Sequence, residues 1–356
     1  MNIIDTCKKH GFAEAYLLPP VDYSDWTRAR DAGAFHAGAA GLAGDLGESY
    51  PWANAVLMMV WAYLPLDSGS GKRKVESGKF PPVSPNYFAS HRSYLAAGAV
   101  MEALAAAGIR AERARIPLRT VAAVCGVGTI LKNTMLAIAP YGSRVLLQAL
   151  MVATGAGQAM VGGRPQVAPT ICENCDACAR ICPAGAIEGD TFHHDRCIRT
   201  HMDGRVMEEW VMERMPSLLG CERCQDVCPV NKHLAARALT GAERDAFVLD
   251  ALLAVNSPLP QPPSSREVAR SAGGSPSASP LKEGGLAPAL ELVGKNQGRR
   301  LLPQAIVMAG KSGDAKYIPA LRQLARNEDE ASASAARWAL ARLTEEKLRR
   351  KILCDP

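Results

Sequence analysis

Three features of the sequence predict a multidomain α+β protein. Strand and helix patterns alternate up to about residue 155, and eight of the eleven cysteines fall between Cys172 and Cys228. Helical periodicity then returns after Ser257 to Pro288, a stretch rich in Pro, Ser and Gly. The expected divisions are an α/β domain at 1–155, a cysteine module at 156–256, a linker at 257–287 and a helical repeat domain at 288–356. With 356 residues and 48% apolar content the chain is long and hydrophobic enough for more than one core.

Each element has a local reason. Asn2 to His10 reads as a short helix stopped by Gly11, and Ala13 to Leu18 as a strand ending at Pro19-Pro20. Tyr23 to Arg30 is expected to be helical, Gly33 to Gly47 a glycine-rich loop, and Ala55 to Leu64 a buried strand. Pro65 to Pro85 is polar and broken by Gly and Pro, a surface excursion. Ser90 can cap a long helix with Leu95, Val100, Met101 and Leu104 on one face and Gly108 as its stop. Ile109 to Ile116 is a candidate strand, and Pro117 suits the first turn of a helix running to Cys125. Thr134 to Ala139 and Arg144 to Val152 are apolar runs joined by Pro140-Tyr141-Gly142-Ser143, which predicts a hairpin. An antiparallel pair argues against a pure doubly wound sheet, and no Gly-rich phosphate loop follows a strand. Near the C-terminus, Ala305 to Gly310 and Ala336 to Ala341 look alike at a spacing of 31, around Pro319 to Ala325 and a terminal helix at Ala331 to Lys351. A helix-pair repeat with a capping helix fits this, as does a plain helical subdomain.

The cysteines carry the chemistry. Cys172, Cys175, Cys178 and Cys182, followed by Pro183, have the spacing by which ferredoxins hold cubane [4Fe-4S] clusters, the fourth thiolate serving the other cluster. The second group is Cys221, Cys224 and Cys228 with Pro229. Its fourth ligand would fall at Leu218, and Cys197 is the nearby replacement. The ferredoxin exchange therefore assigns cluster one to Cys172, Cys175, Cys178 and Cys228, and cluster two to Cys182, Cys197, Cys221 and Cys224. Two tetrahedral zinc sites are the competing reading, disfavoured by the four-cysteine run ending in Cys-Pro. Cys7, Cys125 and Cys354 are left over as ordinary thiols, and His193, His194 and His201 as loop histidines.

The net charge of +6 is modest and uneven, since 288–356 holds thirteen Lys or Arg against eight Asp or Glu. This is compatible with RNA, or with a solvated helical face. Met1 to Lys9 lacks an export signal, and the longest apolar run, Ala53 to Leu66, is too short to span a bilayer. A soluble, cytoplasmic protein without a membrane partner is expected, in a compartment where thiols stay reduced.

The run Leu219 to Lys232, with Cys221-Glu222-Arg223-Cys224-Gln225-Asp226-Val227-Cys228-Pro229, closely resembles the second cluster motif of epoxyqueuosine reductases. Cys172 to Ile187 resembles their first motif, Cys197-Ile198 sits at their isolated cysteine, and Gly126-Val127-Gly128 with Lys132-Asn133 resembles their Gly-Leu-Gly-Trp-x-Gly-Lys-Asn segment. The resemblance runs through the whole chain in order and is close in the cysteine region. It implies a nitroreductase-like N-terminal domain cradling cobalamin above cluster one, a ferredoxin-like double [4Fe-4S] module, and HEAT-like repeats that grip tRNA through a basic face. It further implies that a low-potential donor, ferredoxin or flavodoxin, supplies electrons to reduce epoxyqueuosine in tRNA. Lys132, Asn133 and Tyr94 are the expected pocket residues, with Tyr87 near a second pocket tyrosine of the family. The chain departs at the family's catalytic aspartate, which is Ala114 here, and Glu112 is the nearest carboxylate. It departs again after Cys197, where Ser-Tyr-Leu-Thr is replaced by Arg199-Thr200-His201-Met202. An electron carrier or adaptor without epoxide reductase activity is the alternative; reductive dehalogenation is a third reading, weakened by the missing twin-arginine signal.

Overall fold

Strand β2 (Ala55–Ala62) sets the architecture of the first half of the chain because it is apolar on both faces. Val56, Met58 and Val60 point into one core with Leu18, Ile116, Val121, Ile138 and Met151. Ala55, Leu57 and Met59 point into another with Ile3, Cys7, Leu17, Val100, Leu104 and Leu150. Alternation of Cβ direction turns one apolar run into two interfaces. In the computed structural model β2 pairs antiparallel with β1 (Glu14–Leu18) and with β6 (Val145–Val152), and β6 pairs antiparallel with β3 (Ala111–Arg113). The sheet order is β1-β2-β6-β3, with every pairing antiparallel.

The structure describes residues 1–21, 23–31, 42–43, 45–67, 81–154, 172–202, 206–254 and 285–354, with the side chains of 29–31 and 346–354 left aside. Most of the expected loop at 33–47, most of the excursion at 65–85 and nearly all of the linker at 257–287 lie outside these residues. The chain divides into two units, Met1–Leu66, Pro85–Thr200 and Glu222–Arg237 forming the first, and Asp67–Ser84, His201–Cys221 and Ala238–Pro356 the second.

In the first unit α1 (Ile3–Lys9) is capped by the Asn2 side chain, and Gly11 at φ +92° turns the chain into β1. Helix α2 (Ser24–Asp31) follows, then α3 (Leu46–Ser49), capped by Asp45. The long helix α4 spans Pro85–Ala106 and buries Ser93, Ala97, Val100 and Leu104. Two expectations are corrected here. Ser90 lies inside α4 because the helix begins five residues earlier, where Pro85 needs no donor and the Asn86 amide is taken by the Glu222 carboxylate at 3.0 Å. Leu95 is 57% exposed, since it lies two residues from Ser93 and from Ala97 and so falls across the helix from the buried stripe.

After α5 (Leu118–Val124), β4 (Thr129–Ile130) and β5 (Leu136–Ala137) pair with each other. The expected ladder between 134–139 and 144–152 does not form beyond one bridge, Ile138 to Gly142. Both edges of β6 are already occupied by β2 and β3. The helices α6 (Ala177–Ile181), α7 (Ile198–His201), α8 (Glu209–Arg214) and α9 (Arg223–Asp226) are short, α6 carrying Cys178 and α9 Cys224, with a two-stranded turn of β7 (Ile187–Glu188) and β8 (Thr191–Phe192) between α6 and α7.

The second unit is helical through α10 (Gly241–Ala246), α11 (Leu249–Leu253), α12 (Ala287–Val293), α13 (Gly298–Ser312), α14 (Ile318–Leu324) and α15 (Glu330–Cys354). Helices α13 and α15 approach so closely that a Cβ on Gly310 would lie 2.7 Å from that of Ala339. These are the two segments that looked alike in the sequence. Gln304, buried in α13, accepts the Leu219 amide at 2.5 Å and donates to the Met202 carbonyl at 2.8 Å. Lys311 donates to the carbonyls of Met212, Glu213 and Met215, satisfying the end of α8. No helix among the described residues is long and apolar enough to cross a membrane.

Candidate iron-sulfur and substrate site

Cys172, Cys175, Cys178 and Cys228 line one recess in the first unit, together with Leu131, Lys132 and Asn133. Three of these sulfurs come from a turn and the start of α6, while Cys228 comes from the segment just after α9, beside which α6 packs. Burial raises the thiol pKa of Cys178 and Cys228, and the neighbouring sulfurs raise both further. Four thiols crowded this way resist ionising together unless cationic iron takes their charge. Of the other cysteine set, Cys197 is raised by burial first and also by Cys182. Cys182 accepts the Ala186 amide at 3.3 Å, and Cys224 lies on α9. Cys221 belongs to the second unit.

The wall opposite the sulfurs is the β4–β5 turn. Asn133, 2% exposed, accepts the Met135 amide at 3.2 Å and donates to the Cys224 carbonyl at 3.4 Å. This one side chain shapes its own turn and ties it to the second cysteine motif. Lys132 pairs with Asp190 at 3.0 Å and donates to the Glu173 carbonyl at 3.4 Å, and the Asp190 hydrogen bond raises its pKa.

The other residues singled out from the sequence lie elsewhere. Tyr94 is 53% exposed on α4, with the Arg113 guanidinium 3.8 Å above its ring. Glu112 is exposed on β3 and pairs with Arg110 at 2.9 Å. Ala114 packs against the core cluster that contains Ile116 and Val121, its amide donating to Ala149. Tyr87 is buried, and its hydroxyl accepts from Arg199 at 3.1 Å. His193 pairs with Glu188 at 3.4 Å, and His201 meets Trp210 edge-on.

Sequence reasoning missed the anchor of the second cysteine motif. Arg144, 1% exposed at the head of β6, reaches Glu222 and Asp226, which flank Cys224. Next to it, the Ser143 amide donates to the Asn231 side chain at 2.8 Å, and Asn231 returns a bond to the Ser143 hydroxyl at 2.9 Å and another to the Gln225 carbonyl at 2.8 Å. Gly142, at φ +59°, packs so tightly that a Cβ would sit 2.2 Å from the Asn231 oxygen. The expected hairpin turn is thus a latch for the cysteine motif. A signal existed in the sequence, because Glu222 and Asp226 at i, i+4 share a helix face that calls for a cation.

Residues 171–231 match the family described as a 4Fe-4S double cluster binding domain. Among curated relatives, the chain is similar to an epoxyqueuosine reductase of Lactococcus garvieae, 27% identical over 63% of this chain and 57% of that protein. It is also similar to one of Bacillus subtilis, 31% identical over 39% of this chain and 36% of that protein. The matches therefore span a little over half of the first relative and about a third of the second. Among solved structures, a selenomethionine-labelled epoxyqueuosine reductase aligns over 99% of this chain and 94% of its own, at TM-score 0.67 and 19% identity. The enzyme from Streptococcus thermophilus aligns over 96% and 89%, at TM-score 0.65 and 17% identity. Another similar structure holds an epoxyqueuosine reductase with an epoxyqueuosine-modified tRNA stem loop. The chain carries a double-cluster iron-sulfur domain within an α/β fold, and in sequence and fold it resembles the epoxyqueuosine reductases.

Proposed function

We propose that the protein is an iron-sulfur oxidoreductase that passes electrons through two [4Fe-4S] clusters to a cobalamin and reduces epoxyqueuosine, or a close relative of it, in tRNA. The observation that carries this reading is the recess at which Cys172, Cys175, Cys178 and Cys228 meet the Lys132-Asn133 turn, in a chain whose fold matches epoxyqueuosine reductases over nearly its whole length. Its donor set is of the kind a cubane takes, with four cysteines lining one recess. When bound, the clusters and the corrinoid supply one-electron transfer and a reducing metal centre. The chain's own residues hold and shape. Cys182, Cys197, Cys221 and Cys224 hold cluster two, and the Arg144 latch fixes the cysteine motif that serves both. Asn133 keeps the turn against that motif, and Lys132 presents a cation at the mouth of the recess. Tyr94 joins the wider pocket, and Glu112 is the nearest carboxylate to the position of Ala114. The N-terminal part is nitroreductase-like, the 288–356 helices are HEAT-like repeats that bind tRNA by their basic excess, and a ferredoxin or flavodoxin is the donor.

The test is anaerobic purification with iron and cobalt quantification, followed by incubation of the cobalamin-loaded protein with a low-potential donor and tRNA bearing epoxyqueuosine. About eight irons per chain and conversion to queuosine are expected. Full clusters with neither corrinoid uptake nor conversion would make the chain an electron carrier instead.

A further inference from the structure

The turn between β4 and β5 is held in one shape at a cost. Thr134 sits at φ +62°, where a β-branched residue stays only under constraint. Its amide donates to the Leu131 carbonyl at 2.8 Å, its carbonyl accepts from Arg119 at 2.7 Å, and the Asn133 side chain accepts the following amide, that of Met135, at 3.2 Å. Strain kept in place by several bonds fixes what the turn presents. It presents Lys132. The ammonium donates at 3.4 Å to the carbonyl of Glu173, the residue just after Cys172, and pairs at 3.0 Å with Asp190. Asp190 stands at the tip of the β7–β8 turn, after Gly189 at φ +57°. Lys132 is therefore tied to the first cysteine motif on one side and to a carboxylate on the other, its side chain 20% exposed against 84% for Asp190.

The rest of the recess wall is apolar. Leu131 packs with Cys228 and Cys172, and Ala177 and Pro229 complete the lining. Apart from the cysteines, Lys132 is the one ionisable side chain among the described residues that line the recess. An apolar wall penalises added negative charge, and a cation set in that wall offsets the penalty. A cubane gains one negative charge on taking one electron, with no bond made or broken, and the charge around it is among the quantities that set its potential. We propose that Lys132 raises the reduction potential of the cluster held by Cys172, Cys175, Cys178 and Cys228, and that Asp190, as its counter-charge, limits the rise. The assignment rests on the reading of the recess as a cubane site and deepens it, by naming the residues that decide how readily that cluster accepts its electron.

The test is an anaerobic redox titration of cluster-loaded, cobalamin-free protein, with dithionite as the electron source and the reduced clusters followed by paramagnetic resonance. Wild type is compared with Lys132→Met, Lys132→Arg and Asp190→Asn. The reduction step that is absent from Cys228→Ala belongs to the recess. In Lys132→Met that step should move to lower potential by about threefold or more in the one-electron equilibrium, tenfold being about 59 mV. Asp190→Asn should move it the other way and by less, because solvent screens an exposed carboxylate. Lys132→Arg keeps the charge and should stay near wild type. The opposite signs decide the matter. A pair that merely braces the cysteine loop would give Lys132→Met and Asp190→Asn the same loss of iron and of thermal midpoint with the potential unmoved, and that result overturns the proposal. So does a rise in potential in Lys132→Met. Should Lys132→Met load poorly, the upward shift in Asp190→Asn tests the same claim by itself. Wild-type protein with no cubane signal would refute the reading of the recess, whereas full clusters with equal potentials in all four proteins refute the tuning alone.

Discussion

Residues 172–182 and residues 222–231 carry cysteines at similar spacing in surroundings of different kinds. The first segment is a turn and one short helix, α6, whose residues are all at least partly exposed and whose ion pair, Arg180 with Asp176, stands in solvent. The second is gripped from outside by Arg144, Ser143 and the Asn86 amide, with Glu222, Gln225, Cys228 and Asn231 all buried. A buried ion pair and a closed hydrogen-bond circuit hold one motif in place, whereas among the described residues the other is tied by the bond from Lys132 to the Glu173 carbonyl and by the packing of α6 beside α9. Half of the proposed metal site is therefore held in advance by the protein, and the metal would organise the rest.

The largest effect that would break this comparison is at the shared residue. Cys228→Ala should remove the cluster faced by Cys172, Cys175 and Cys178, with roughly half of the iron lost from the anaerobic protein. Paramagnetic resonance showing loss of the other cluster alone would overturn the assignment. Next, Arg144→Met leaves Glu222 buried without its cation and should cost about 3–5 kcal/mol in denaturant unfolding of the loaded protein. A loss under about 1 kcal/mol would mean that the latch contributes no more than a surface pair. Removing iron with a chelator should then separate the motifs directly. Amide exchange is expected to rise at 172–182 while 222–231 stays protected; equal loss of protection would dissolve the contrast. The smallest effect lies in the second unit, where Gln304→Ala strands the Leu219 amide and the Met202 carbonyl. About 1–3 kcal/mol of stability should go with it, read from the same unfolding curves.

Much of this was legible in the sequence because its causes are local. The cysteine spacings, Gly11 and Gly108 as helix stops, Pro117 before α5 and the buried run of β2 each follow from a few neighbouring residues. The errors share a different cause. Ser90 was a plausible cap until Glu222, 136 residues away from Asn86, took over the start of α4. The hairpin at 134–152 failed because β3 and β2 flank β6, which no local pattern announces. The Arg144 latch joins residues 78 and 82 apart, so spacing rules within a motif could not reach it, although two acids on one helix turn hinted at a missing cation.

Arg144 heads the strand that lies between β2 and β3, in register with both. A slip of β6 by one residue would point Arg144 to the opposite face and replace it, at the latch, with a neighbour that has no charge. Glu222 would then lose its buried cation, and the motif that carries Cys228 would lose its anchor. With the recess read as a cluster site, iron content would report strand register as well as cofactor loading, and a chain whose central strands mispair is expected to take up less iron.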